Sequence, residues 1–247
     1  MKSGWDGGQR GRAGAVTVGV AAGTLLLMTL AADALLPSLV ARTAEQQLAA
    51  RAQASEARVQ IEARPGWRVL SGEASYLHVD LREARFGLLP VNSFLVDAYD
   101  LRLDPGRLRR QGEIVLRRHG PVQATLRLTE ADLNRYLWAT VDKEKAFRLV
   151  LGSGTAAAEG SLAVLGQRLP LRIEGRLRVE PPATLRFVPQ EFHLAKMRVP
   201  RAFLENVVAQ VLAVRLPLED LPLRVRLTEV RVEPGRLFLF ANGVSEA

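Results

Sequence analysis

Apolar and polar residues alternate along much of the chain after Val59, which predicts β-strands with one buried face and one solvent-exposed face. The clearest run is "RLPLRIEGRLRVE" at 168–180, where leucine, isoleucine and valine fall on one face and arginine and glutamate on the other. Similar alternation occurs at 122–128, 147–151 and 160–164. We therefore expect a β-rich body over residues 59–247.

In two places the apolar positions change phase within one run. In "LRVRLTEVRV", Val225 and Leu227 are odd-numbered, whereas Val230 and Val232 are even-numbered. A β-bulge near Thr228-Glu229 would turn both halves toward one interior. The stretch "FHLAKMRV" at 192–199 shows the same switch and predicts a second bulge. Bent strands of this kind favour a strongly curved sheet.

One phrase is repeated along the chain, as "LRLDPGRLRR" at 101–110 and "VRVEPGRLFLF" at 230–240. Proline presets φ and glycine accepts unusual dihedral angles, so both copies predict tight hairpin turns. A looser copy, "LRVEPPATLRF" at 177–187, predicts a strand end followed by a wider loop. The repetition thus indicates architecture and not a chemical motif.

Two segments have helical spacing. "TEADLNRYLWATV" begins with Thr129 as the expected N-cap and Asp132 as its capping partner. "PRAFLENVVAQVLAVRL" at 200–216 opens with proline and carries a broad apolar stripe. Core packing explains both stripes; the alternative is that they line a lipid cavity. The candidate lipid contacts are Tyr136, Leu137, Phe203, Val207, Val208, Val211 and Leu212.

The N-terminal region carries the export signal. Residues 13–32 contain no charge, and 20 helical residues span about 30 Å, the thickness of a bilayer core. Basic residues precede this run, which predicts that 1–12 is cytoplasmic, 13–34 is a transmembrane anchor, and the body lies outside the cytoplasm. A cleaved signal peptide is the alternative, but the run is long for one. Residues 35–58 are alanine-rich and predict a helical stalk with a weak apolar face.

The formal net charge of +8 indicates an anionic neighbour, either a nucleic acid or a membrane surface. Nucleic acid is disfavoured because aromatic residues make up only 6% of the chain and the arginines are dispersed. The densest basic stretch is "RLRRQGEIVLRRHG" at 107–120. If it folds as a hairpin about Gln111-Gly112, four arginines would lie together and suit lipid phosphates; the alternative is a solvated strand face. These head-group candidates are Arg109, Arg110, Arg117 and Arg118.

No residue pattern indicates catalysis. The chain has no cysteine, and its histidines, His78, His119 and His193, share no metal-ligand spacing. Ser153 lies in a glycine-rich turn that lacks the nucleophile-elbow pattern. The sequence therefore predicts no catalytic residue, metal site or cofactor. A lipid-modifying hydrolase would need serine, histidine and carboxylate groups that meet only in the folded chain.

The order of segments resembles a known family. The run "GWRVLSGEASYLHVDLREARFG" is followed by "ATLRLTEADLNRYL" and the ending "LPLEDLPLRVRLTEVRVEPGRLFLFANG". Over roughly residues 40–243 this resembles the bacterial LmeA-like phospholipid-binding family. The resemblance implies an exported lipid-binding protein of the α+β class. It also implies a curved antiparallel sheet wrapped around long helices, similar to tubular lipid-binding domains.

Together these features predict a membrane-anchored, extracytoplasmic, non-catalytic protein that handles envelope lipids. The expected partners are a phospholipid and the bacterial membrane, and no nucleic acid. The structural alternative is an envelope scaffold that binds a protein partner or a wall polyanion.

Overall fold

Antiparallel β-strands make up most of the described structure. The computed structural model describes residues 35–111, 115–164, 167–194, 197–198, 213–216 and 225–244. The strands are β1 (Glu56–Glu62), β2 (Glu73–Phe86), β3 (Leu89–Leu103), β4 (Leu116–Arg118), β5 (Val122–Thr129), β6 (Phe147–Leu151), β7 (Ala156–Val164), β8 (Gln167–Glu180), β9 (Thr184–Leu194), β10 (Met197–Arg198), β11 (Ala213–Arg215), β12 (Val225–Glu233) and β13 (Arg236–Gly243). The helical segments are α1 (35–52), a 3-10 helix (Gly66–Ser71), α2 (Pro105–Gln111) and α3 (Glu130–Thr140).

The strands form two sheets. Sheet A has the order β1-β2-β3-β5-β13-β12, with β4 beside β3. Sheet B has the order β10-β9-β8-β7-β6, with β11 beside β9. Apolar residues from both sheets join one buried cluster, which includes Leu81 and Phe94 of sheet A and Ile173 and Phe187 of sheet B. The predicted strand alternation therefore serves a core shared by the two sheets.

The expected sheet wrapped around long helices is wrong. Strand is the dominant element of the described residues, and α3 spans only Glu130–Thr140. Part of the helix expected at 200–216 is a strand, because Ala213–Arg215 forms β11 along β9. Strand β11 thereby forms hydrogen bonds with backbone groups of β9 on the side opposite to β8. Residues 199–212 lie outside the described residues.

No helix within the described part of the chain is both long enough and apolar enough to cross a membrane. The predicted anchor at 13–34 lies outside the described residues.

The β2–β3 ribbon is long and bent. Its strands contain 14 and 15 residues, and two non-glycine residues have positive φ: Glu83 at 48° and Asp100 at 50°. The apolar face changes phase beside them, since buried Leu81 is followed by buried Ala84. These backbone kinks let one long ribbon keep its apolar side toward the core as the sheet curves.

The predicted bulge near Thr228-Glu229 is confirmed, because the register of β12 against β13 shifts between Leu227 and Glu229. The second phase switch has another cause. Met197 pairs with Leu194, so β9 and β10 form a hairpin there and the predicted bulge is wrong. A change of phase is compatible with either a bulge or a reversal of the chain.

The repeated phrase adopts different structures in its two closest copies. The copy at 230–240 is the predicted hairpin between β12 and β13, with Gly235 at φ 71°. The copy at 101–110 is not a hairpin, because Pro105 begins α2 and Asp104 caps it. Asp104 Oδ1 accepts hydrogen bonds from the backbone N of Gly106 at 2.8 Å and of Arg107 at 3.1 Å. Leucine, arginine and glutamine then favour helix, whereas "RLFLF" favours strand.

The looser third copy joins β8 to β9 through a wider turn, as predicted, with Glu180 paired to Thr184. The predicted cap of α3 is also confirmed. Thr129 Oγ1 accepts from Asp132 N at 3.1 Å, and Asp132 Oδ2 accepts from Thr129 N at 3.1 Å. These reciprocal bonds form a capping box that sets where α3 begins.

Candidate functional site

Helix α1 packs against the apolar face of sheet A. Three small residues of the helix are buried in the main core, Ala41, Ala44 and Ala52. Glu45 Oε1 accepts a hydrogen bond from the backbone N of Val59 at 2.9 Å, which ties the helix to β1. Beyond its end, Ser55 N donates to Arg82 O at 3.1 Å. The predicted stalk segment therefore carries a helix that lies on the body.

An apolar groove of about 120 Å³ lies between α1 and strands β1 to β4. We call it the α1 groove. Its floor residues Val79, Val96 and Leu101 are almost fully buried. Its walls are Leu48, Ile61, Leu77 and Leu116, which are only partly buried. The full lining is Ala44, Gln47, Leu48, Arg51, Val59, Ile61, Ala74, Leu77, Val79, Val96, Leu101, Leu103 and Leu116.

Arg51 is the single charged residue that lines the α1 groove among the residues the structure describes. Its side chain is exposed at the rim of the groove, and it forms no ion pair with any described residue. An arginine without a partner offers several N–H donors in a planar arrangement that fits a phosphate or carboxylate. Within the described part of the chain, the arrangement thus combines an apolar groove with an arginine that forms no ion pair.

A second concavity, of about 670 Å³, lies between the end of α3 and sheet B. Trp138 and Phe147 contribute apolar surface, and Trp138 Nε1 donates to Phe147 O at 2.7 Å. Its two arginines, Arg148 and Arg172, are already paired, whereas Lys145 Nζ lies over the Trp138 ring, 5.5 Å from the ring centroid. Glu159 accepts from Arg148 Nη2 at 2.7 Å and from Arg172. The hydrogen bond from Arg148 and the attraction of both arginines outweigh burial and lower the pKa of Glu159.

This second cleft is the less suitable anion site. Because Glu159 is paired with both Arg148 and Arg172, an anion that bound either arginine would have to displace an existing carboxylate. Arg172 is further held by Glu174, whose Oε1 lies 2.8 Å from the arginine Nε. The α1 groove, whose lining is apolar apart from Gln47 and Arg51, is the stronger candidate for an acyl chain.

The outer face of sheet A carries a hydrogen-bonded cluster. Asp97 Oδ1 accepts from Tyr76 Oη at 2.5 Å and lies 2.8 Å from His78 Nδ1. The bond to Asp97, followed by burial, raises the pKa of Tyr76 to about 12. Burial acts to raise the pKa of Asp97, but the hydrogen bonds from Tyr76 and His78 lower it overall. Strong mutual bonds of this kind hold two neighbouring strands together.

The groups that a hydrolase would need are dispersed in the described structure. Ser153 lies in a turn in which Gly152 N donates to Thr155 O at 2.9 Å. His78 lies on β2 and His193 on β9. His119 precedes β5, and its Nδ1 lies 2.8 Å from Gly120 O. No group of three metal-ligating side chains occurs among the described residues.

Two of the predicted lipid contacts lie in the described structure, and neither of them lines the α1 groove. Tyr136 and Leu137 lie on α3 and are buried in the main core. The other predicted contacts, Phe203, Val207, Val208, Val211 and Leu212, lie outside the described residues. Their assignment stays a prediction.

The predicted head-group arginines are divided between a helix and a strand. Instead of a hairpin about Gln111-Gly112, the segment forms α2 and then β4. Arg110 Nε donates to Gly106 O at 3.3 Å, whereas Arg117 Nη2 donates to Asp104 Oδ2 at 2.7 Å. Arg118 is exposed on β4, and the Arg109 side chain lies outside the described structure. Their binding to lipid phosphates also stays a prediction.

Sequence reasoning missed Leu48 and Arg51 as site residues. The available signal was the helical spacing of Leu48 and Ala52 in a segment whose buried side chains are mostly alanine. Alanine contributes little to an apolar stripe, although it allows a helix to approach a sheet closely. The apolar walls from β1 and β2 were visible only as ordinary strand alternation.

The model of one protein family matches the chain over residues 31–241, and its description is LmeA-like phospholipid-binding. The chain belongs to this family. No curated protein and no solved structure matches it. The matched region of this LmeA-like chain includes α1 and every strand that lines the α1 groove.

Proposed function

We propose that this LmeA-like protein holds a phospholipid with an acyl chain in the α1 groove and the phosphate near Arg51. The observation that carries the proposal is an apolar groove with an exposed arginine at its rim. Arg51 forms no ion pair with any residue that the structure describes. Apolar walls suit a hydrocarbon chain, and the guanidinium group suits a phosphate. Membership of a family described as phospholipid-binding supports the same ligand class.

Helix α1 acts as a cover that the lipid displaces in part. The groove volume of about 120 Å³ is below the range of roughly 300–1,000 Å³ usual for small-molecule sites. Burying a methyl or methylene group gains about 0.8 kcal/mol, so the three alanines that α1 places in the main core contribute about 2 kcal/mol, in addition to Val40 and the partly buried Leu48. A sixteen-carbon chain that leaves a bilayer loses on the order of 13 kcal/mol, so the groove has to widen until it buries most of that chain.

The protein works at the membrane, anchored by residues 13–34 with its body on the extracytoplasmic side. The charge-free run and the basic residues before it support this orientation. Its role is the handling of envelope lipids without catalysis. The dispersal of Ser153 and the histidines over different elements supports a binding role over a hydrolase.

The test compares two tryptophan substitutions on the same helix. Leu48→Trp fills the α1 groove, while Ala50→Trp places the same side chain on the exposed side of α1. Full-length protein is purified in detergent, and co-purified phospholipid is measured by extraction and mass spectrometry. We expect the wild type and Ala50→Trp to retain lipid, and Leu48→Trp to lose most of it.

Two outcomes would contradict the proposal. Equal lipid retention in both variants would place the lipid elsewhere, for example among the predicted contacts on residues 203–212. A wild-type protein that carries no lipid and takes none from vesicles would favour the envelope scaffold.

A further inference from the structure

Four exposed apolar residues lie on two segments at one end of the molecule. Trp67 and Leu70, on the 3-10 helix, are 54% and 38% exposed. Leu35 and Leu39, in α1, are 59% and 55% exposed and stand one helical turn apart. We call these four residues, with Arg64 and Arg68, the docking face. Large apolar side chains grouped on a protein surface are typical of an interaction site.

The two segments pack side by side. Val40 of α1 and Val69 of the 3-10 helix share a small buried cluster with Ala63, and Leu36 packs against it. Leu35, Leu39 and Leu70 are each next to one of these residues in the chain, and Trp67 is two positions from Val69. The exposed apolar side chains of α1 and of the 3-10 helix therefore lie on two segments that are in contact.

The 3-10 helix is held firmly to the end of the β2–β3 ribbon. Gly72 has φ 85°, its N donates to Val69 O at 3.1 Å, and its carbonyl accepts from Leu103 N at 2.7 Å. A Cβ at position 72 would lie 2.5 Å from Leu103 O, so the close approach requires glycine. Trp67 and Leu70 are thus displayed on a fixed element.

Two basic residues lie close to Trp67 in the sequence. Arg64 forms no ion pair with any described residue, and Arg68, half exposed, lies 3.5 Å from Glu73. Tryptophan and arginine together suit the boundary between lipid and water, since the indole enters the interface and the guanidinium group reaches phosphates. This combination of charge and aromatic surface matches an anionic bilayer.

We propose that the docking face lies on the surface of an anionic lipid bilayer and orients the body against it. The predicted anchor supports this occupant, because it ends at residue 34 and Leu35 follows it directly in the sequence. The inference rests on the proposed membrane anchor, but not on the lipid-binding groove. Ile61 packs against the small cluster beneath the docking face and also lines the α1 groove, which places the groove beside the membrane.

The absence of cysteine allows a clean test with single-cysteine variants. Leu70→Cys reports on the docking face. Leu88→Cys is the matched control, since Leu88 is 62% exposed in the turn between β2 and β3. The β2 strand contains 14 residues, so at about 3.3 Å per residue the control lies roughly 40 Å away along the ribbon. Both are far in sequence from the anchor.

Each variant of the full-length chain is labelled with an environment-sensitive fluorophore and placed in vesicles of phosphatidylcholine and phosphatidylglycerol. We expect the label at 70 to shift to shorter wavelength and to lose most of its emission when the lipids carry spin-label quenchers. The label at 88 should keep its emission. Trp67→Cys provides a second position on the same face if Leu70→Cys folds poorly.

Vesicle flotation distinguishes a failure of the docking face from a failure of the predicted anchor. A chain that floats with the vesicles but shows no quenching at 70, or equal quenching at 70 and 88, overturns the docking face and leaves the anchor intact. A chain that does not float overturns both the anchor and the docking face. Lipid retention by the α1 groove is measured independently and is not affected by either result.

Discussion

Asn134 is a buried polar residue that joins α3 to strand β6. Its Nδ2 donates to Leu149 O at 2.8 Å, and its Oδ1 accepts from Leu149 N at 2.7 Å. The same Nδ2 lies 3.0 Å from Glu130 O. Because β6 is the last strand in the order of sheet B, Leu149 has backbone groups that no further strand in that order satisfies. The asparagine amide takes the place of that missing neighbour.

Replacing Asn134 by alanine should destabilise the protein. The substitution leaves the N–H and C=O of Leu149 buried without partners, and we expect a loss of about 2–4 kcal/mol in the free energy of unfolding. The measurement is denaturant unfolding followed by circular dichroism. Arg135→Ala, on the exposed side of α3, is the control and should change stability by no more than about 0.5 kcal/mol. Similar losses in both variants would contradict this role for Asn134.

Prediction at the residue scale succeeded where the partners are close in sequence. Thr129 and Asp132 are three positions apart, so their capping box follows from local spacing. Asn134 and Leu149 are fifteen positions apart, and no sequence pattern links a helix residue to a particular strand backbone. The partner of a buried amide depends on how elements pack.

At the scale of elements, strand β8 bends at Gly175. The register of β8 against β9 shifts between Glu174 and Gly175. A Cβ at position 175 would lie 2.4 Å from Val188 O and 2.8 Å from Phe187 Cζ. Glycine therefore lets the neighbouring strand and the Phe187 ring approach the backbone closely.

We expect Gly175→Ala to weaken sheet B. The added methyl group must push the β9 backbone away, which should cost about 1–3 kcal/mol of folding stability. Thermal unfolding provides the measurement, with Arg176→Ala on the exposed face of the same strand as control. If the alanine variant is as stable as wild type, the close approach at this bulge is not what requires glycine.

Element predictions were right where one pattern favoured one structure. The hairpin at Gly235 had this property, because the residues on both sides of it favour strand. The Asp-Pro-Gly sequence at 104–106 is compatible with a turn and with a helix start, and the residues after it decided for α2. At 213–215 an apparently helical run became β11 because β9 offered a sheet edge.

At the scale of the whole molecule, salt distinguishes a lipid groove from a polyanion scaffold. The net charge of +8 would favour polyanion binding, which weakens steeply as the Debye length falls from about 10 Å at 0.1 M salt to about 3 Å at 1 M. Apolar burial in the α1 groove is not screened. We therefore expect co-purified phospholipid to persist through a wash at high salt, as measured by mass spectrometry. Loss of the lipid at high salt would favour a purely electrostatic surface site.

The sequence by itself determined the strand-rich body, the capped helix α3, the basic surface and the resemblance to the LmeA-like family. Each depends on residue type and on neighbours within a few positions, or on the order of segments along the chain. The tertiary structure decided the two-sheet arrangement, the position of α1, the α1 groove and the docking face. Leu48, Leu77 and Leu116 become one lining only when a helix and two strands meet. The physical reason is that a groove is formed by long-range packing, and small buried alanines mark such packing only faintly in a sequence.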